Sequence, residues 1–585
     1  MKKWNLDALF TSFDSEEFKD NLQKINELIE TATKDAKASF VDMSDAEAKI
    51  VRYLETSSDL RSRLLRAFAY CSLRISTDTS DQDAKKYMNH LQQLSAKTTY
   101  ASTTFTKWLP NVEDLDALIE KNPLLKEAEY YLHRIVEGAK HVLSDKEEMI
   151  IAKMQNTGSS AWSQLQGELT STLKIPFDGK ELSLSEIKNL GMHKDQDVRK
   201  RAYLAEMEAY PKIAQSVAYA MNGVKGEVNT LVELRNFDSP LDQAVYQSRM
   251  ERETLDALLG AMKEYLPVFR QFLKRKATLL GHKNGLPWYD LGAPMGESSK
   301  EFSEDEAMEY IFKNFKTFGP SLENLARRAY DEEWIDFTPR NGKRGGAFCS
   351  NIHPIKQSRI LTNFSGSFGN VITLAHELGH AYHGDKIFAE KIFNASYTMP
   401  VAETASTFCE TIVKNAALND AKEEEKINIL EESLKGSTAV IVDIMSRFIF
   451  EENVFNKRQE TPLSVEMLNE MMLDAQKEAY GDALDPDFMH QYAWLNKPHY
   501  YRGGLSFYNF PYAYGLLFAK GIYAEFKKRG SAFTKDVDLL LQKTGQKSIE
   551  DVAALVGLDV RDKDFWRQSL DVIKAEIDMF LELTE

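Results

Sequence analysis

The sequence predicts a mainly α-helical protein with a small sheet beside one ligand-presenting helix. Three observations carry that expectation. Apolar residues recur at three- and four-residue spacing through most of the chain. A few short stretches, marked by glycine and proline, break the pattern. The stretch His376-Glu377-Leu378-Gly379-His380 puts two histidines on one helix face, about one turn apart.

Taken in order, Ser15 to Leu173 is helical nearly throughout. Phe18, Leu22, Ile25, Leu28 and Ile29 form one stripe, and Leu60, Leu64, Leu65, Phe68 and Ala69 another. Ser76 to Asp81 reads as a turn with capping residues for the next helix, and Ser144-Asp145-Lys146-Glu147 as a capping box. Leu173 to Leu184 has a proline, an Asp-Gly turn and extended flanks, so a hairpin is expected there, with a domain boundary nearby. Helical pattern resumes at Ser185 and runs to about Leu280. The glycine-rich loop Gly281 to Ser299 follows. Between Pro339 and Gly369, Ser358 to Phe364 reads as a strand and Gly346 to Ser350 as its partner. The rest is helical except around Asp482 to Pro511. The expected division is a helical N-terminal domain, 1–185, and a second domain, 186–585.

Bulk properties narrow the class. At 585 residues the chain can bury a sizeable core, and its 43% hydrophobic and 28% charged content is that of an ordinary globular protein. A net charge of −16 argues against nucleic acid or an anionic membrane surface as partner. Cys71, Cys349 and Cys409 are far apart, so neither a disulfide framework nor a cysteine-rich metal module is implied. Met1-Lys2-Lys3 leads into no apolar signal core, and no apolar run is long enough to span a bilayer. The expected compartment is the cytoplasm.

The paired histidines suit one metal ion, and the intervening Glu377 suits proton transfer from its water. Asn370 is the expected N-cap of their helix and Gly384 its stop. Val371, Leu374, Leu378, Ala381 and Tyr382 fall on the opposite, packing side. The third ligand is not a downstream histidine, because the metzincin glycine and histidine positions hold His383 and Lys386. Asp385, Glu390, Glu403 and Glu410 are the carboxylate candidates. Glu403 opens a new helix after Pro400, with small Ala405 and Ser406 to permit close packing. Glu410 shares its face and suits a brace for a ligand histidine. His383 lies one turn beyond the ligand face and suits a hydrogen-bonded neighbour.

Zinc would bring its water's pKa toward ~7, and Glu377 would take the proton and return it to the leaving amine. The oxyanion needs further donors. Pro498 to Gly515 offers His499, five tyrosines and the pair Gly503-Gly504 in one stretch. Tyr508 and Tyr512 stand one turn apart if a helix begins here, with Pro511 in its first turn. Tyr512 is the expected oxyanion donor and Tyr508 the substrate-positioning partner.

His376 to His380 together with Val401-Ala402-Glu403-Thr404-Ala405-Ser406 resembles the M3 metallopeptidases, in their oligoendopeptidase F branch. The resemblance extends through Gly345-Gly346-Ala347, and from Phe507-Tyr508 to Tyr512-Ala513. It spans most of Ile187 to Phe526. Arg502-Gly503-Gly504 departs from the branch pattern by adding residues before the tyrosines. The resemblance implies a helical ellipsoid with a deep substrate groove, a zincin catalytic domain of gluzincin type, one zinc, and cleavage of short unstructured peptides. Its zinc ligands would be His376, His380 and Glu403, its base Glu377, and its substrate and transition-state residues His499, Tyr508 and Tyr512. An extended peptide is expected to add beside Ser358 to Phe364. Two other readings stand beside this one. One is a related helical metallocarboxypeptidase, suggested by His353-Pro354-Ile355, Arg359 and Thr362. The other is a peptide-binding protein with structural zinc, against which Glu377 argues.

Overall fold

The periodic stripes become helices that bury them. In the computed structural model, which describes residues 3–296 and 301–585, Glu16–Ser39, Ala46–Thr77 and Gln82–Trp108 pack on one another. Phe18, Leu73 and Leu91 are fully or almost fully buried between them. Asp81 caps the third of these helices, and the expected capping box opens Asp145–Gln155. The expected hairpin forms: Lys174–Phe177 pairs antiparallel with Lys180–Ser183. Asp178 and Gly179 close it at φ 50° and 76°, a left-handed pair that suits a two-residue turn.

Apolar burial divides into three cores. The largest collects side chains from Leu173 to Phe580. A second joins Trp4 to Leu94 with Ile352 and Leu361, so the N-terminal helices seat on the small sheet. A third joins Ile50 to Leu132 with Phe393. Of the glycine-rich loop Gly281 to Ser299, residues 297–299 lie outside the described residues.

Three strands form the sheet, and their order corrects the sequence expectation. Gln357–Leu361 is central. Phe348–Ile352 pairs antiparallel with it, and Ile335–Asp336 pairs parallel on its other side. Ile360 and Leu361 are therefore flanked on both sides, which leaves this strand no continuous free edge for a peptide. Among the described residues, the two outer strands are the two-residue Ile335–Asp336 and the longer Phe348–Ile352, and the longer one offers the more extensive unpaired edge. Ile335–Asp336 escaped the reading because two residues show no alternation.

The histidine helix also differs at its ends. It runs Phe368–Ile387, and Ser367, not Asn370, is its N-cap. Ser367 Oγ accepts from the Asn370 N–H at 3.2 Å, while Asn370 Oδ1 turns back to accept from Ser365 N at 2.9 Å. Gly384 does not stop the helix. A Cβ there would lie 2.3 Å from Asn351 Oδ1, so this glycine admits the edge strand instead. Asn351 Nδ2 donates to the His380 carbonyl at 3.0 Å, tying the strand to the helix.

Candidate metal centre

Three elements converge on one point. The helix Phe368–Ile387 supplies His376 and His380. A short turn, Met399–Ala402, and the helix Thr404–Asp420 leave Glu403 at their junction. Two glycines make the approach possible. A Cβ on Gly379 would lie 2.5 Å from the Ala405 carbonyl oxygen, and one on Gly515 would lie 2.9 Å from Glu403 Cβ. Gly515 belongs to the helix Phe510–Arg529.

His376 Nε2 and His380 Nε2 are 3.1 Å apart, and each is 3.4 Å from Glu403 Oε2. Donors about 2.0–2.2 Å from a tetrahedral ion lie about 3.3 Å from one another. The three atoms thus outline one face of such a tetrahedron. Among the described residues they are the one grouping of histidine, cysteine or carboxylate side chains close enough to hold a metal. Asp385 and Glu390 are elsewhere: Asp385 is 3.4 Å from Lys386, and Glu390 bonds Gln542, Lys543 and Gln546.

The charges around the site favour ligation. Glu410 Oε1 is 2.6 Å from His376 Nδ1 and its other oxygen accepts from Lys414 Nζ at 2.7 Å. A carboxylate at Nδ1 keeps the proton there and leaves Nε2 with its lone pair. Burial pushes the Glu403 carboxyl up, but His380 and His376 outweigh it and hold its pKa at about 2. Ser406 Oγ also donates to Glu403 Oε2, at 2.9 Å. Glu410 is likewise held at about 2 against burial, by His376 and Lys414. Glu377 is the opposite case. It is buried, and burial raises its pKa despite the opposing pull of His376 and His380. It lines a cavity of about 730 Å³ together with His376, Phe368, Thr373 and Ala347.

His499, Tyr508 and Tyr512 form a second group. The His499 ring stacks on Tyr508 at 4.5 Å, and Tyr512 donates to Tyr508 Oη at 2.9 Å. Pro511 falls in the first turn of its helix, as expected. Burial, the bond to Tyr508 and the Glu403 carboxylate all raise the Tyr512 pKa, which sets this phenol near Glu403. Tyr500, Tyr501 and Tyr514 are buried packing residues. Gly503 abuts Ser159, where a Cβ would lie 2.6 Å from Oγ. His383 is fully buried, 2.8 Å from Thr544 Oγ1 and stacked on Tyr397. His353 and Arg359 bond backbone carbonyls of Glu390 and Asn5.

The sequence profile of Peptidase family M3 matches residues 190–572, well over half of the chain. The chain belongs to peptidase family M3. An Oligopeptidase F profile matches residues 111–175, which adds the branch. Oligopeptidase PepF of Bacillus subtilis is 24% identical over 593 residues, covering 99% of this chain and 87% of its own. Group B oligopeptidase PepB of Streptococcus agalactiae is 24% identical over 590 residues, covering 98% and 96%. Among solved structures, a protein of Chlamydophila abortus provisionally assigned as a peptidase superposes with a TM-score of 0.86 at 20% identity, covering 99% and 98% of the two chains. Oligoendopeptidase-F from Enterococcus faecium gives 0.69 at 18% identity, covering 97% and 99%. These two show the same helical fold. As an M3 peptidase the chain is a metalloendopeptidase. No described helix is long and apolar enough to cross a membrane.

Four contributors to the site were missed by the sequence reading: Asn351, Lys414, Gly379 and Gly515. Lys414 was findable, because it stands four residues after Glu410 on one helix. The other three act through close approach of separate elements, which no local pattern displays.

Proposed function

We propose that this M3 peptidase is a zinc-dependent oligoendopeptidase that hydrolyses internal bonds of short, unstructured peptides. The observation that carries it is the triangle of His376, His380 and Glu403 donor atoms, whose sides match a tetrahedral zinc face. One zinc per chain would be held there, and when bound it would polarise the attacking water and the scissile carbonyl.

The chain's own residues do the rest. Glu377 accepts a proton from the attacking water and returns it to the departing nitrogen. Its raised pKa suits both halves of that transfer. Glu410 fixes the His376 ring through Nδ1. Tyr512 donates to the developing oxyanion, Tyr508 positions the substrate, and His499 is a further donor near the scissile bond. The peptide adds a strand to the free edge of Phe348–Ile352. Antiparallel pairing, the commoner kind, sets its direction. The edge strand starts beside Ala347, at the cavity, and reaches Asn351, which is bonded to His380. An antiparallel peptide then runs from Asn351 toward Ala347, and its C-terminal half enters the 730 Å³ cavity.

A helical N-terminal domain, 1–185, and a catalytic domain, 186–585, belong to the same proposal. All but three of the main core's buried side chains follow residue 185, which supports that division, and the absence of cysteine pairs among the described residues supports a cytoplasmic setting. The test is metal content and turnover in Glu377→Gln. Zinc is expected at one per chain, with turnover down about 10²–10⁴-fold, the usual share of general acid–base catalysis. Wild-type turnover in that variant, or a wild type that works after complete zinc removal, would sink the proposal.

A further inference from the structure

Beyond the catalytic cavity lies a second one, of about 490 Å³, that the mechanism does not use. Glu432 and Gly436 stand in the walls of both. They belong to the helix Glu423–Thr438, which runs into a π turn, Ala439–Asp443. Ala439 and Asp443 of that turn line the second cavity. Such turns occur frequently at functional sites.

The charges in this cavity do not balance. Arg199 is paired with Asp290 at 2.7 Å and Lys435 with Glu432 at 2.5 Å. Asp443 is paired with Arg447. Glu206 accepts from Tyr210 at 2.5 Å and lies 3.4 Å from His490. Lys188 and Lys497 are left over. Lys188 Nζ donates to Asn496 Oδ1 at 3.3 Å, and among the described residues no carboxylate forms an ion pair with either lysine. Lys188 is exposed and Lys497 half-buried, and desolvation lowers both pKa values, Lys497 to about 8, against the opposing pull of the Glu206 and Asp443 carboxylates. Two cations that no carboxylate contacts directly suit an incoming anion.

The location says which anion. An antiparallel peptide sends its C-terminal half into the first cavity, and the second adjoins it at Glu432 and Gly436. Lys497 is two residues from His499, and its charge is felt by that ring. We infer that the second cavity docks the free C-terminal carboxylate of the peptide substrate on Lys188 and Lys497. The inference rests on the endopeptidase reading and adds to it a reason for preferring short chains with an open end.

Matched fluorogenic peptides free of Asp and Glu, of graded length, made as free acid and as amide, test it. At the length whose end reaches the cavity, the acid is expected to show a KM about tenfold lower than the amide, the effect of one charge-assisted contact. Lys497→Met and, separately, Lys188→Met should bring that ratio toward one. Equal KM values at every length overturn the inference without needing a variant, and so does a ratio that both variants keep. In either case, cleavage of both peptide forms leaves the endopeptidase reading standing. An amide carrying Glu near its end and bound as tightly as the acid also overturns it, because the pocket then reads a side chain. Cleavage of neither form overturns the endopeptidase reading, and this inference with it.

Discussion

Tyr508 and Tyr512 share one hydrogen bond, at 2.9 Å, so only one of their two O–H groups is free to meet substrate. The Tyr512 proton must leave Tyr508 to reach an oxyanion, and Tyr508 then keeps contact with the substrate itself. Tyr512→Phe is expected to lower kcat by about 10²–10³-fold, the effect of losing one oxyanion donor. Tyr508→Phe should act chiefly on KM. Steady-state kinetics on zinc-replete protein checks both, and an exchange of the two effects would exchange the roles. The three side chains that converge as a candidate metal site were legible in the sequence because two of them obey helix geometry and the third opens a helix of its own. Lys188 and Lys497 were not legible as partners: 309 residues separate them, a gap only tertiary packing closes. His383 shows the reverse limit. Its spacing marks a face of the helix, but its bond to Thr544 comes from a turn at the end of a helix far along the chain.

At the scale of elements, position depends on what crosses what. Two of the three glycines in the helix Phe368–Ile387 face a neighbour's atoms rather than ending the helix: Gly379 meets Ala405 and Ser406, and Gly384 meets Asn351. A helix read alone treats a late glycine as a stop, and Gly384 was read so. Small Ala405 and Ser406, by contrast, did signal the close crossing from sequence. The crossing is testable. In Gly379→Ala the new Cβ would meet backbone, 2.5 Å from the Ala405 oxygen and 2.6 Å from Ser406 Cα, so no side chain can swing aside. The helices must part, at a cost of about 1–3 kcal/mol in stability. Glu403 directly precedes the displaced helix, so zinc affinity should fall as well. Thermal unfolding and zinc competition against a chelator measure the two losses. Gly167→Ala, whose Cβ meets nothing within 4 Å, serves as control. If Gly379→Ala binds zinc as tightly as wild type, the crossing does not set the third ligand.

At the scale of the whole molecule, access follows from where the site is set. Glu377 is only 6% exposed, and the catalytic cavity is walled by the metal helix, the helix Thr404–Asp420 and the helix Glu423–Thr438. In the proposed binding mode a substrate arrives extended, because the edge of Phe348–Ile352 offers strand pairing. A folded protein keeps its backbone groups paired internally and cannot lend a strand without local unfolding, whose free energy approaches the global stability in core elements. A peptide shorter than about twenty residues has no such barrier, since isolated elements of that length are marginal in water. The expected outcome is therefore efficient cleavage of an unstructured peptide and no cleavage of the same sequence within a rigid loop of a stable host domain. Digestion of both, followed by mass spectrometry, decides it. Chemical unfolding of the host separates the two remaining cases. If the unfolded host chain is cut at the site, pairing with a free strand is the filter. If it is spared while the short peptide is cut, chain length is the filter, and the cavity beyond Gly436 closes the path.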